Sequence, residues 1–512
     1  MINGILNAWR VAWCGFMPLF VVVLGLVSAA QAAANPTPSR LPVAERRVNF
    51  VFFIADDVSQ EDIGCYGHPT IKTPHIDALA ANGMRFDNAY LTISSCSPSR
   101  CSIITGRYPH NTGAPELHTK LPEAQIRFPE LLRDAGYYTV LAGKNHMFGG
   151  KDRAFDTITR GGGPGNEADW VQHVIDRPGD QPFFFWFASV DAHREWQKSK
   201  DAPEYAVSDV VVPPYLVDSE ITRRDLADYY HEVSRFDHFI GLVTTELKKQ
   251  GVLDNTMIVV AADNGRPFPR CKSRLYDSGI KTPWVVQYPW LVKTPSATGS
   301  LISSIDLSAT CLELAGIEQP ACIQGQSFVP ILKDPKAKVR ELVFAEQNWH
   351  VYKNHSRMVR FGDFVYIKNN DPDQPNLCLE SHRWPAGEDL WEAHAAGRTT
   401  TQQQQIFANP CPEEELFRVS RDPNQFENLA GNPEYAETLQ QARQLIANWT
   451  EQTGDTIPEN PSPNRHAPPR VEDGRIIPAG NYEKAKRNPH AEMPGAARNA
   501  TAINHPGPVR LR

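Results

Sequence analysis

Val48-Asn49-Phe50-Val51-Phe52-Phe53-Ile54-Ala55-Asp56-Asp57 is an apolar run that stops abruptly on two carboxylates. A short, nearly continuous apolar stretch rich in Phe and Val reads as a strand buried on both faces. Similar runs recur at Tyr137–Ala142, Pro182–Ser189, Thr256–Ala262 and Pro283–Gln287. Helical patterns lie between them. Asp77–Asn82 is closed by Gly83, Pro129–Ala135 opens on Pro and stops at Gly136, and Asp225–Gln250 stops at Gly251. The last carries Leu226, Tyr230, Val233, Phe236, Ile240, Val243 and Leu247 at helical spacing, which predicts a core-facing stripe. Strands alternating with helices predict an α/β domain with a largely parallel sheet.

At 512 residues the chain exceeds what one hydrophobic core usually organises. A first unit is expected over 47–335 and a C-terminal subdomain over 336–455, with strands at Leu342–Ala345 and Phe364–Ile367 and a closing helix at Tyr435–Trp449. Residues 456–512 are rich in Pro, Asn, Arg and Gly and lack apolar periodicity, so they read as a tail that is disordered or draped over the body. With 52 Lys and Arg against 59 Asp and Glu, the net charge of -7 offers no footprint for nucleic acid or an anionic membrane.

Arg10, the apolar stretch Val11–Ala29 and the small residues around Ala30-Gln31-Ala32 read as a signal peptide over 1–32, hence an exported protein, periplasmic or secreted, or lysosomal in a eukaryote. The competing reading of the same stretch is an uncleaved anchor. Of nine cysteines, Cys14 falls in the signal, leaving eight. Cys311 with Cys322 and Cys378 with Cys411 are candidate pairs in an exported chain. No Cys-x-x-Cys or paired Cys/His spacing suggests zinc.

In open α/β sheets ligands collect at the carboxyl edge, and three candidate strands end there in polar clusters. These are Asp56-Asp57, then Asp191 with His193, then Asp263-Asn264. Adjacent carboxylates after an apolar strand are costly unless a cation or dense hydrogen bonding satisfies them. An all-oxygen set favours a hard metal, calcium or magnesium. The alternative for either pair alone is a helix cap.

Ser95-Cys96-Ser97-Pro98-Ser99-Arg100 and, further on, Gly136-Tyr137-Tyr138-Thr139-Val140-Leu141-Ala142-Gly143-Lys144-Asn145-His146 resemble, in order, the two signatures of the type I sulfatases. The likeness continues through Cys65-Tyr66-Gly67, Thr73-Pro74-His75-Ile76-Asp77, Asp263-Asn264-Gly265 and Leu275-Tyr276-Asp277-Ser278-Gly279, and spans roughly 47–450. It implies an alkaline-phosphatase-like α/β/α sandwich with a smaller C-terminal domain of antiparallel sheet plus helix. It also implies a metal, Ca²⁺ with Mg²⁺ as the alternative, on Asp56, Asp57, Asp263 and Asn264. Cys96 would be converted to formylglycine by a formylglycine-generating or other sulfatase-maturation enzyme, which would leave seven of the eight cysteines. Arg100 would lie beside the aldehyde hydrate, and Lys144, His146, His193 and Lys272 would complete the sulfate pocket.

The expected chemistry follows from the substrate. A sulfate monoester is an anion, so cations must offset charge as an oxygen attacks. An aldehyde hydrate offers one hydroxyl to attack sulfur and a second to expel sulfate. Arg266-Pro267-Phe268-Pro269 after Asp263-Asn264-Gly265, and the Lys272 loop, are similar to heparan N-sulfatase (sulfamidase) and its bacterial relatives. The expected substrate is therefore a sulfated glycan bearing sulfate esters or N-sulfate groups. Glu116, His118, His350 and Arg357 are the candidates for a sugar-binding rim, while 376–415 matches no part of the family pattern. A phosphonate or phosphodiester hydrolase on the same scaffold and a non-catalytic glycan-binding relative are the alternatives.

Overall fold

In the computed structural model the described residues are 47–374, 376–467, 469–472 and the backbone of 475–477. The signal-like residues 1–32 and the tail from 478 onward lie outside them.

The leading strand β1 (Asn49–Ala55) is buried along its whole length. Its alternate side chains enter two different cores: Val51, Phe53 and Ala55 face one layer, and Phe50, Phe52 and Ile54 the other. That period of two is what a strand between two helical layers requires. The strands that follow are β2 (Met84–Tyr90), β3 (Tyr138–Gly143), β4 (Thr157–Thr159), β5 (Phe183–Ala188), β6 (Thr256–Ala262), β7 (Val285–Gln287) and β8 (Ser296–Ser303). They form one sheet in the order β4-β3-β5-β1-β6-β7-β2-β8. β1 pairs in parallel with β5 and β6, β3 with β4 and β5, and β2 with β8. Only β7 runs antiparallel to its neighbours. The expected sandwich is present.

The five anticipated strands fall within two residues of their observed bounds. The long helix is Glu220–Lys249, five residues longer at its start than the apolar stripe suggests, because Ser219 accepts a hydrogen bond from Thr222 N and caps it there. All seven stripe residues are buried in the first core. β2 and β8 escape sequence reading because Arg85, Asp87 and Asn88 in one, and Ser and Gly in the other, break the apolar pattern at the sheet's edge.

A second, antiparallel sheet has the order β12-β11-β10-β9, from β9 (Leu342–Gln347), β10 (Ser356–Phe361), β11 (Phe364–Asn369) and β12 (Glu414–Arg418). One face packs on the closing helix Ala436–Thr453 through Phe344, Val359, Tyr366, Leu416, Ile446 and Trp449. The other packs on Tyr90, Leu91, Leu275 and Tyr276. β10 is hidden in the sequence by Arg357 and Arg360, both buried and hydrogen-bonded.

Beyond the closing helix the described residues are draped over the body. Trp349 Nε1 donates to Pro463 O (2.8 Å), Lys353 N to Asn464 Oδ1 (2.6 Å) and Arg465 N to Val351 O (2.8 Å), so 463–465 straps the loop after β9. The candidate disulfides do not form. All eight described cysteines are free thiols: Cys311 and Cys322 pack as small apolar side chains, and Cys378 is turned onto Ser381 Oγ at 3.1 Å.

Asp237 of the long helix accepts from His75 N (3.0 Å) and Ile76 N (2.7 Å) at the start of helix Pro74–Ala81. Burial pushes this carboxyl up to about 7. A raised folded pKa stabilises most below the unfolded value of about 3.9, and that contribution is lost as pH rises through 7. Asp237→Asn keeps the acceptor without the charge. Its stability relative to the parent should therefore rise by about 1–2 kcal/mol between pH 5 and pH 8; denaturant titrations giving the same difference at both pH values would contradict this.

Candidate active site

The register of the main sheet brings the strand ends together. Ala55 pairs with Ala262 and Ile54 with Ala188, and Gly143 also pairs with Ala188. The residues that follow, Asp56-Asp57, Asp263-Asn264 and Lys144, therefore emerge side by side at the carboxyl edge. Backbone bonds lock the row: Asp56 N donates to Asp191 O (2.8 Å), Asp263 N to Ala55 O (3.1 Å) and Lys144 N to Ala188 O (2.8 Å).

Cys96 is the first residue of the buried helix Cys96–Thr105, whose N-cap is Ser95. The helix begins at the cysteine itself. Pro98 fits because the first turn needs no backbone N–H, and Arg100 lies one turn on, on the same face as Cys96. The helix ends at Gly106, whose φ of 66° is the left-handed conformation that glycine adopts without strain.

Around Cys96 stand three carboxylates and three cations. Arg100 Nε donates to Asp263 Oδ2 at 2.7 Å, Lys144 Nζ to Asp56, and Lys272 Nζ to Asp57 Oδ2 at 2.7 Å. Asn264 Nδ2 donates to Asp57 Oδ1 (2.6 Å), and Cys96 Sγ lies 3.9 Å from that oxygen. Ligand atoms of Asp56, Asp57, Cys96 and Asp263 all fall within 4.8 Å of one another. Asp56 Oδ1 and Asn264 Oδ1 are buried without a hydrogen-bond partner. Buried polar atoms are rarely left so, and these two oxygens suit a hard cation. The donor set thus fits a calcium- or magnesium-type ion. With charges already balanced, such an ion would leave an excess of positive charge for an anion.

Burial alone would raise the Asp57 carboxyl, but Lys272 and then His193 outweigh it and hold it below the usual range. Burial pushes the Cys96 thiol up, despite Lys144 and Lys272. An unmodified Cys96 is therefore a protonated thiol and a poor nucleophile. Burial, with Lys144 beside it, drives His146 far down and keeps its imidazole neutral. Arg100 Nη2 and His146 Nδ1 are buried without hydrogen-bond partners. Asp57, His118 and His146 all sit at positive φ, a strain that side chains adopt where position matters more than backbone ease.

The structure therefore brings Asp56, Asp57, Cys96, Arg100, Lys144, His146, Asp263, Asn264 and Lys272 into one cluster. His193 is solvent-exposed at its lip, near enough to influence Asp57. Of the rim candidates, His350 Nδ1 bonds Ser95 Oγ (2.8 Å), beside the cysteine. His118 Nδ1 bonds His146 Nε2 (2.7 Å), and its backbone N bonds Ser97 Oγ (2.7 Å). The other two are bonded within the chain itself. Glu116 is buried against Ser462 Oγ (2.6 Å), in contact with the draped tail. Arg357 is buried in a fork with Asp455 (2.5 and 2.8 Å) and lies 3.6 Å from Glu346. Both are tied up holding the chain together. Sequence reasoning missed the positioning roles of Ser95 and Ser97, although both flank the cysteine in the motif.

Three comparisons bear on this geometry. The profile of the family described as "Sulfatase" matches residues 48–317, and that described as "N-sulphoglucosamine sulphohydrolase, C-terminal" matches 271–364. An "Ulvan-active sulfatase" of Formosa agariphila is 30% identical over 83% of this chain and 78% of its own. The "N-sulphoglucosamine sulphohydrolase" of Homo sapiens is 29% identical over 80% of this chain and 90% of its own. Among solved structures, one described as in complex with its substrate D-glucosamine-2-N,6-O-disulfate shares the fold with a TM-score of 0.61 at 21% identity, over 79% of this chain and 98% of that one. A phosphonate monoester hydrolase of Agrobacterium radiobacter does so with a TM-score of 0.62 at 16% identity, over 79% and 96%. The clustered carboxylates, cations and cysteine thus lie within the span matched by the sulfatase profile, and the chain belongs to the sulfatase family of hydrolases.

Proposed function

We propose that this chain is a formylglycine-dependent sulfatase that removes sulfate from an amino sugar of a sulfated glycan, N-sulfate foremost. The observation that carries the catalytic part is Cys96, a buried residue at a helix N-terminus, surrounded by three carboxylate–cation pairs with two orphaned oxygens. The match of 271–364 to the N-sulphoglucosamine sulphohydrolase C-terminal profile supports the substrate. The signal-like residues 1–32 support export to the periplasm or beyond.

Asp56, Asp57, Asp263 and Asn264 would hold the metal, which when bound supplies positive charge to the sulfate and the attacking group. Formylglycine at position 96, made by a maturation enzyme, would supply a hydrated aldehyde with one hydroxyl to attack and another to release sulfate. The rest falls to side chains already in place. Arg100 Nη2 and Lys144 Nζ bind and orient the sulfate oxygens. Asp56 and Asp57 keep Lys144 and Lys272 charged against the cost of burial. Lys272 Nζ and the exposed His193 are the groups that hold a proton for the departing oxygen or nitrogen. His146, steered by His118 through Nε2, presents neutral Nδ1 to accept one as sulfate leaves.

The decisive test is at Cys96. Protein co-produced with a maturation enzyme should carry a Cys96 peptide about 18 mass units lighter than the thiol form, the formula difference between cysteine and formylglycine. Cys96→Ala should lose activity on 4-nitrophenyl sulfate and N-sulfoglucosamine by about 1000-fold or more while keeping its melting temperature. Full activity with an intact thiol, or faster turnover of an aryl phosphonate than of either sulfate, would overturn the reading.

Metal binding has a readout apart from turnover. Calcium added to chelated protein at about 100 times its dissociation constant should stabilise the fold by about 2.7 kcal/mol. Asp263→Asn should abolish most of that gain; a thermal shift of the same size in parent and variant would remove Asp263 from the ligand set.

The proton-holding roles predict an unequal loss. Lys272→Ala and His193→Ala should slow N-sulfoglucosamine by about ten-fold more than 4-nitrophenyl sulfate, because nitrophenolate departs without a proton. Equal losses in kcat on both substrates would assign these residues to anion binding alone.

A further inference from the structure

The segment between β11 and β12, to which the sequence assigned no part of the site, folds back to the site floor. Arg274 Nη2 holds Leu377 O, and Cys378 N donates to Ser381 Oγ (3.2 Å), which shapes the short turn Leu379–Ser381. The next helix, Pro385–Ala395, clamps that turn. A side chain at Gly387 would put its Cβ 2.4 Å from Glu380 O, and Ala386 N donates to Asp225 of the long helix at 3.1 Å. Glu380, in the middle of the turn, is thereby fixed facing Lys272. Its Oε1 is 3.9 Å from Lys272 Nζ, while that ammonium gives its 2.7 Å hydrogen bond to Asp57.

Glu380 is only 4% exposed, and its Oε2 is buried with no hydrogen-bond partner. A carboxylate kept in this state carries a desolvation cost that one long contact with a shared lysine does not offset. A donor arriving with the substrate would offset it. Sulfate cannot be that donor, since two anions repel. A hydroxyl or amino group on the carbon next to the scissile sulfate can, and Lys272 marks this side as that of the departing group.

We infer that Glu380 is a specificity-determining residue that accepts a hydrogen bond from a hydroxyl or amino group of the sugar beside the scissile sulfate, an assignment that rests on the sulfatase reading above. The same negative charge excludes a second sulfate from that position of the ring.

The test uses full-length, matured protein and Glu380→Gln, with Glu380→Ala as a second variant and melting temperature as the folding control. Kinetics are measured on 4-nitrophenyl sulfate, which has no neighbouring donor. They are also measured on whichever of N-sulfoglucosamine, glucosamine 3-sulfate and N-acetylgalactosamine 4-sulfate, each with a donor on a carbon next to the sulfated position, the parent turns over fastest. The ratio of kcat/KM for sugar over aryl sulfate should fall about ten-fold or more in both variants, with the loss in the sugar KM. A ratio that does not move overturns the assignment, and so does a common fall in kcat on both substrates, the result expected if Glu380 only positions Lys272. A parent that cleaves the aryl sulfate and none of the sugars overturns it as well. A parent that cleaves no sulfate at all overturns instead the reading on which it rests.

Discussion

Charge neutralisation at the carboxyl edge of the main sheet is the constraint on which the rest of this structure depends. Asp56, Asp57 and Asp263 are fully buried, and an unpaired buried carboxylate costs several kcal/mol. Each meets a cation from a different part of the chain: Lys144 from the end of β3, Lys272 from the loop after β6, and Arg100 from the helix that starts at Cys96. The parallel register of β3, β5, β1 and β6 brings these pieces within hydrogen-bond reach. Two oxygens remain unsatisfied in that arrangement, and they suit a hard cation.

The helix that starts at Cys96 is held by the same logic. Arg100 is anchored to Asp263 and Lys144 O, so the helix cannot slide without breaking a buried ion pair. Ser95 and Ser97, on either side of Cys96, fix His350 and His118 in turn. One short helix therefore sets the cysteine, the arginine and two histidines of the lip together.

The C-terminal sheet closes the site from the other side and needs its own buried ion network to do so. Arg357 joins Asp455 to Glu346, and Glu346 accepts from His110 N (2.7 Å) and bonds its Nδ1 (2.9 Å). This ties β9, β10 and the end of the closing helix to the loop that follows the Cys96 helix. The strap at 463–465 then holds the loop carrying His350. Residues that looked like a sugar-binding rim, Glu116 and Arg357, belong to this fastening.

Apolar periodicity alone determined the parallel core, the long helix and the strand ends, because a strand between two helical layers must be apolar on both faces and its loop residues must then emerge at one edge. Resemblance to the two sulfatase signatures singled out Cys96, Arg100, Lys144 and His146, while the oxygen set was visible as carboxylates placed directly after apolar strands, a local pattern. Strand β2, its edge neighbour β8 and the arginine-bearing β10 were not legible: polar residues such as Asn88, Arg357 and Arg360 find partners far along the chain, and a one-dimensional pattern does not show a partner. The same reason hid the fastening roles of Glu116 and Arg357 and the arrival of Glu380 beside Lys272. Those side chains meet residues about 100 to 350 positions away in the chain. Whether a lone charged residue serves a substrate or a distant stretch of its own backbone is decided only when tertiary packing brings the two ends of the contact together.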